Sequence, residues 1–367
     1  MTLYFAFVFG FYFVALAVLR IGWIKIISKN NTLIATKENF ISIIVATRNE
    51  ADNIDDLLSS LSKLNYPENK FEVILVDDHS EDGSLEKSRK WLERFSQLKI
   101  ISLPENKTGK KAALAMGITL AGGEIIATTD ADCLLPNQWL RHINIRFQGD
   151  STKMGVGAVV IQANKTFFSE LQALEFASVI GTGLATLGLN KPTMCNGANL
   201  SFRKKVFDEV NGYSGNEHIA SGDDEFLMRK ISTRYPNSVQ AITSTESVVI
   251  TQPQASVNDF VRQRLRWASK WKANSSLFAQ MLAVFIFLAQ VSWIYLLVES
   301  VIHPNPILFL ILFAKVITDL IFPLPVFRFL KVRVKLLSFV ALQFLYPLYV
   351  LFIGFFSQWK DHQWKGR

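Results

Sequence analysis

"FEVILVDDHS", residues 71 to 80, is the stretch whose reading decides the fold. Phe71, Val73, Ile74, Leu75 and Val76 make a near-continuous apolar run, the pattern of a strand buried on both faces, and the run ends in two acids, Asp77 and Asp78. Upstream, "FISIIVATRNE" (residues 40 to 50) has the same form and ends in polar residues from Thr47 to Glu50. Between the two, "NIDDLLSSLSKL" sets Ile54, Leu57, Leu58, Leu61 and Leu64 at helical spacing, and Tyr66-Pro67 ends it. Strand, helix, strand predicts a parallel sheet whose ligand crevice lies at the carboxyl ends of its strands.

The alternation continues with a helix over 84–95, a strand over 98–103, a helix over 111–120 and a strand over 124–129. The last strand again delivers acids, in "TTDADC" (128 to 133). There is no internal repeat and no low-complexity linker, so residues 38 to 273 read as one α/β domain.

Around this domain the composition changes. Half of the 367 residues are hydrophobic, 29 of them Phe, more than a charged soluble surface leaves room for. The stretches 3–19, 277–298 and 336–356 carry no charge, and each is near the ~17 to 25 residues that span a bilayer as a helix. A fourth, 307–327, is interrupted by Lys315 and Asp319, four residues apart on one helical face and able to pair. Residues 1 to 27 therefore read as an anchor, 277 to 357 as a membrane region of about three spans, and 358 to 367 as a basic tail.

A cleaved signal peptide is the alternative for the first segment, since Ala15-Leu16-Ala17 offers a small-x-small pattern. No basic residue precedes the run, however, whereas Arg20, Lys25 and Lys29 follow it, an order that predicts a retained anchor with its C-terminal side in the cytoplasm. Cys133 and Cys195 are too few for a disulfide framework and lack metal-ligand spacing, which fits a reduced compartment. The net charge of +8 gathers where spans end, from Arg262 to Lys272 and from Arg328 to Lys335, so it points to a membrane surface rather than to nucleic acid.

Asp130 and Asp132 can reach one hard cation, Mg²⁺ or Mn²⁺, whose shell phosphates would complete. A nucleoside diphosphate needs such a metal and also acceptors for ribose and base, which Thr47, Glu50, Asp77 and Asp78 supply. One of the last two can alternatively cap the following helix. Lys110 and Lys111, after Gly109, either hold phosphate at a helix start or form a solvated pair. In "ASGDDEFLMRKI" (220 to 231), Asp223 and Asp224 are helix caps or include a general base for an acceptor hydroxyl.

In order, "VATRNE", "VDDHSEDGS", "GKKAAL", "DAD", "GAN", "GDD" and "QRLRW" (263 to 267) resemble the motif series of glycosyltransferase family 2. Within it they resemble the membrane-embedded branch of cellulose synthase, hyaluronan synthase and ceramide glucosyltransferase. The resemblance covers about residues 40 to 270 and implies the GT-A fold, an α/β Rossmann-like mixed sheet, with an inverting mechanism, a nucleotide-sugar donor (a UDP-sugar favoured) and a divalent metal. It implies that Asp78 contacts the nucleotide, Lys110 the donor phosphates, and Asp130 and Asp132 the donor and metal. Asp224 is then the base. Gln263, Arg266 and Trp267 match the Q-x-x-R-W signature on an interfacial helix, where Arg266 can stabilise the departing diphosphate. Trp267, Asp223 and Asn199 of the "GAN" turn are the expected acceptor contacts.

Trp267 and Trp271 in the headgroups, with cations on lipid phosphate, would also explain the same segment as an anchor, and Arg264 and Lys270 suit that role best. One span before and three after the domain are fewer than a polymer channel needs, so the expected acceptor is a lipid or lipid-linked hydroxyl, with a processive polysaccharide synthase as the alternative. The segment 167–189 is either a membrane-facing acceptor wall or a buried core helix. A sugar nucleotidyltransferase would want a glycine-rich loop that "IIVATRNEADN" lacks, and a non-catalytic scaffold has no use for the four acids together. The catalytic domain is expected on the cytoplasmic side of a multi-pass cell-membrane protein. Four full spans would put the basic tail outside, so the Pro323/Pro325 region is a candidate for a re-entrant stretch.

Overall fold

A computed structural model describes residues 1–28, 35–216, 221–269 and 276–357. Lys29, Lys270, Trp271, Lys272 and the basic tail lie outside the described residues. In chain order the elements are α1 (Thr2–Ser28), β1 (Ile41–Thr47), α2 (Ile54–Leu61), β2 (Phe71–Asp77), α3 (Ser84–Arg89), β3 (Leu98–Ser102), α4 (Lys110–Leu120), β4 (Ile125–Asp130), β5 (Cys133–Leu134), α5 (Trp139–Arg146), β6 (Met154–Gly157) and β7 (Val159–Ile161). Then follow α6 (Phe167–Gly188), β8 (Leu200–Arg203), α7 (Lys204–Glu209), α8 (Asp223–Arg234), β9 (Val239–Ile242), β10 (Val249–Thr251), α9 (Val257–Ala268), α10 (Leu277–Ile302), α11 (Pro306–Ile321), α12 (Leu324–Phe329) and α13 (Leu336–Phe356).

The described chain forms two compact units. The α/β unit comprises Ile26–Gln162 and Met194–Gln252. Its seven-stranded sheet runs β3-β2-β1-β4-β8-β6-β9. The first four strands are parallel; β8 is antiparallel to both β4 and β6. All seven residues of β1 and of β2 are buried, which is why both read as unbroken apolar runs. Strand register aligns Thr47 with Asp77 and Ala46 with Asp130, so the polar strand ends arrive at one edge together. A small sheet, β5-β10-β7, lies after this edge in the chain path of β4.

Helix α3 stops at Arg89, shorter than the predicted 84–95, and the chain continues in tighter turns. The amides of Trp91, Leu92 and Arg94 bond three residues back, and the Trp91 indole donates to Asp55 of α2 at 2.8 Å, holding the turn against its neighbour.

The helical unit gathers Met1–Lys25, Ala163–Thr193 and the described chain from Pro253 on. Five helices among the described residues are long and apolar enough to cross a membrane: α1, α6, α10, the α11–α12 stretch and α13. The fifth, α6, falls on the segment read as acceptor wall or core helix, and its residues are largely buried. Pro323 sits where α11 gives way to α12, consistent with the loss of helical hydrogen bonding at proline. Lys315 and Asp319 do pair, at 2.7 Å, and Lys315 also donates to Gln343 at 2.8 Å. Phe5, Phe9, Trp293, Leu296 and Leu308 form one of the unit's buried apolar clusters.

Candidate active site

Seven segments of the α/β unit bring chemistry to the carboxyl edge of its sheet. The loops after β1 and β2 are cross-tied: the Asn49 amide donates to the Ser80 hydroxyl at 3.0 Å, and the Glu81 amide donates to Asn49 Oδ1 at 2.9 Å. Asn49 adopts φ of 50°, a left-handed conformation that asparagine tolerates better than most residues. Asp78 is fully buried; its Oδ2 accepts from the Gly109 amide at 2.9 Å and lies 3.8 Å from the Arg48 guanidinium. Several buried polar atoms here have no hydrogen-bond partner among the described residues: Thr47 Oγ1, Asp77 Oδ1, Asp78 Oδ1 and Thr129 Oγ1. Such atoms call for a polar ligand or water.

Gly109 precedes α4 with φ of 97° and ψ of 156°, a region essentially reserved for glycine. A Cβ there would meet no atom within 4 Å, so only the backbone objects to a side chain. Gly109→Ala is expected to cost about 1–3 kcal/mol and to raise the KM for donor, because the same residue orients its amide toward Asp78 and starts the helix that carries Lys110. Thermal unfolding and donor saturation measured together check this; a variant unchanged in both would show that the loop relaxes freely.

Lys110 is the hub. Its Nζ lies 2.7 Å from Asp130 Oδ1 and 3.9 Å from Asp223 Oδ2. Burial alone would lower its pKa, but Asp130 and Asp223 outweigh that and hold the ammonium well above its ordinary range. Asp132 has the opposite problem. Burial pushes its carboxyl up to about 6, and the charges of Asp130 and Glu50 add to the effect. Thr251 at the end of β10 donates to Asp132 Oδ2 at 3.4 Å.

The "GAN" turn approaches from the other side. Thr128 on β4 donates to the Gly197 carbonyl at 2.6 Å, and the Gly197 amide donates to Asp224 Oδ2 at 2.9 Å. A Cβ on Gly197 would stand 3.4 Å from Asp223 Oδ2 and 3.8 Å from Lys110 Nζ, so glycine keeps this junction open. Asp223 and Asp224 begin α8, but neither is its cap; Gly222, at φ of 82°, precedes them. Asp224 Oδ1 accepts from the Glu225 amide at 2.7 Å.

The structure therefore brings Lys110, Asp130, Asp223 and Asp224 together, with Asp132 and Glu50 electrostatically linked to them and Thr47, Asp77 and Asp78 on the adjoining strand ends. Asn199 differs. It is 1 % exposed, its amide nitrogen donates to the carbonyls of Ala158 and Ser247, and its oxygen accepts from the Trp139 indole. That side chain is spent on tying the fold, so it has no free donor for an acceptor hydroxyl.

Gln263, Arg266 and Trp267 lie on α9 of the helical unit, capped by the Ser256 hydroxyl. Arg264, read from sequence as a lipid-phosphate anchor, is corrected by its burial: it is 3 % exposed and bonds Glu175 of α6 at 2.6 Å, over the Trp267 ring. Sequence reasoning also missed Gly197 and Thr251 as supports; their partners are far away along the chain, and only the "GAN" resemblance touched one of them.

Among the described residues no group of three or more His, Cys, Asp or Glu side chains is arranged to hold a metal alone. Two carboxylates, one of them unfavourably charged beside the other, do suit an Mg²⁺ or Mn²⁺ ion whose remaining ligands are phosphate and water.

A mixed sheet with acids at the carboxyl edge, a lysine at a helix start and a second acid pair opposite defines a GT-A glycosyltransferase domain. The family model "Glycosyl transferase family 2" matches residues 42–210 of the chain. Glycosyltransferase AglE of Haloferax volcanii is 27 % identical over 230 residues, covering 62 % of this chain and 71 % of that protein. Beta-monoglucosyldiacylglycerol synthase of Trichormus variabilis is 29 % identical over 196 residues, 52 % of this chain but only 41 % of the synthase. A mannosyltransferase from Pyrobaculum calidifontis, solved with GDP-Man and Mn²⁺, matches with a TM-score of 0.57 at 18 % identity, covering 98 % of each chain, a likeness of fold.

Proposed function

We propose that this glycosyltransferase moves a sugar from a nucleoside-diphosphate donor to a hydroxyl of a lipid or lipid-linked acceptor, with inversion at the anomeric carbon. The observation that carries the reading is the Lys110–Asp130–Asp223–Asp224 cluster beside strand ends with unpartnered buried oxygens. Asp224 takes the proton from the acceptor hydroxyl, whose oxygen bonds to the anomeric carbon as the bond to the diphosphate breaks. Lys110 offsets the charge gained by the leaving diphosphate. Asp130 and Asp132 would hold a divalent cation, which supplies further charge neutralisation when bound. Thr47, Glu50, Asp77 and Asp78 receive nucleoside and ribose. The QRLRW resemblance assigns Gln263, Arg266 and Trp267 to the diphosphate and acceptor.

Support for a lipid acceptor comes from the apolar helices and from the diacylglycerol-based product named in one relative. The charges after α1 favour a catalytic unit on the cytoplasmic face. UDP- and GDP-sugars both merit trial, because the matched structure holds a GDP-sugar.

The test uses detergent-purified protein, lipid extract, Mg²⁺ or Mn²⁺ and a panel of labelled nucleotide sugars. Label in the organic phase identifies the donor and supports the reading. Label confined to high-mass polymer would replace it with a processive synthase. Chelation should abolish transfer and either metal restore it; Asp132→Asn should raise the metal needed for half-maximal rate by at least about tenfold, the scale known for lesser, outer losses at metal sites. Full activity in excess chelator would remove the metal from the proposal.

A further inference from the structure

The helical unit contains a cavity of about 230 Å³, enough for roughly seven waters. Its walls are mostly apolar, including Leu16, Leu19, Leu282 and Val326, but four charged residues also line it: Arg20, Glu175, Lys315 and Asp319. Three of these are already matched. Glu175 is bonded by Arg264 at 2.6 Å. Asp319 is held by Lys315 at 2.7 Å and by the Tyr12 hydroxyl at 2.8 Å.

Arg20 is left over. It has no ion-pair partner among the described residues, and its Nη1 is shut off from solvent with no hydrogen-bond acceptor. The residue as a whole is half-buried, so it is this one nitrogen that lacks a partner among the described residues. A second orphan lines the same cavity: Gln290, 5 % exposed, has its Oε1 buried without a donor. Two buried polar atoms of opposite hydrogen-bonding sense, on residues that line one apolar-walled cavity, are each costly while unbonded.

We propose that this cavity binds the head of an anionic lipid, its phosphate on Arg20 and a headgroup hydroxyl donating to Gln290. The two cations and two anions of the lining balance, but Arg264, from outside the lining, pairs Glu175 and Lys315 pairs Asp319, so Arg20 is the cation left to face a single phosphodiester. The volume accommodates a headgroup and not two acyl chains, while exposed side chains such as Leu288 and Phe344 on the helices of this unit offer apolar surface to chains outside it. The inference concerns the helical unit alone and stands whether or not the transfer reading holds.

Native mass spectrometry of the full chain in neutral detergent tests it, with phosphatidylglycerol, phosphatidylcholine, diacylglycerol or inorganic phosphate added separately. Phosphatidylglycerol has both phosphate and hydroxyl; phosphatidylcholine lacks the hydroxyl, and diacylglycerol lacks the phosphate. One phosphatidylglycerol per chain should survive at energies that strip the other two. Arg20→Gln should weaken its retention by at least about tenfold, the loss of one charge-assisted bond, and Gln290→Leu should weaken it to a smaller degree. Arg328→Gln, which removes an exposed cation of the same unit, should leave it unchanged. Equal retention of the neutral lipids, or no loss in both Arg20→Gln and Gln290→Leu, would overturn the proposal. Displacement of the lipid by millimolar inorganic phosphate would do so too, by assigning the cavity to a free anion.

Discussion

Asp224→Asn is expected to reduce kcat by about 10²- to 10⁴-fold, the contribution usual for a positioned proton acceptor, with little change in donor KM. Asparagine keeps the shape of the side chain and one of the two backbone hydrogen bonds, those from Gly197 and Glu225, that now fix the carboxylate. It cannot accept a proton. Asp223→Asn provides the contrast. Asp223 sits 3.9 Å from the Lys110 ammonium, so its loss alters the charge around the proposed phosphate site and should appear mainly in KM. Steady-state rates with the labelled donor, taken beside thermal unfolding of each variant, separate the two roles. If Asp223→Asn were the inactive variant and Asp224→Asn turned over normally, the base would have to be reassigned to the first acid of the pair.

The sequence made the α/β framework legible because its central strands are buried on both faces. In such strands hydrophobicity runs unbroken and stops where the backbone reaches the ligand edge, so "VILVDD" and "IIATTDAD" announce both a strand and a site. Lys110 was legible for a related reason: it follows a glycine at a helix start. What periodicity could not carry was pairing across long separations. Nothing near Asp132 announces Thr251, 119 residues on, and nothing near Asp224 announces the Gly197 amide. The division into units was equally hidden. An apolar helix such as α6 has one composition whether it faces lipid, a soluble core or other apolar helices, so its place with the chain from Pro253 on had no signature. Asn199 misled because a motif asparagine reads as a ligand contact, whereas its three hydrogen bonds are all internal.

Arg264→Met should destabilise the helical unit by about 3–5 kcal/mol, the cost of leaving one member of a buried ion pair without its partner. Glu175 is the stranded group: it is 8 % exposed, and its carboxylate is bonded by Arg264. The arginine also lies 4.6 Å over the Phe260 ring and 4.3 Å over Trp267, so packing is lost along with charge. Arg262→Met, two residues earlier on an exposed face of α9, should stay within about 0.5 kcal/mol of the parent. Adding Glu175→Gln to Arg264→Met should recover most of the loss, since a neutral amide is far cheaper to bury than a carboxylate. Thermal unfolding of these four proteins and of Glu175→Gln alone, in one detergent, completes the Arg264–Glu175 cycle with Arg262→Met as the control. Were Arg264→Met as stable as Arg262→Met, the 2.6 Å pair would contribute nothing net and α9 would owe its place to its apolar contacts alone. The predicted asymmetry instead makes the two arginines of the signature unlike in kind: Arg264 points into the unit and ties α9 to α6, whereas Arg266 is less buried.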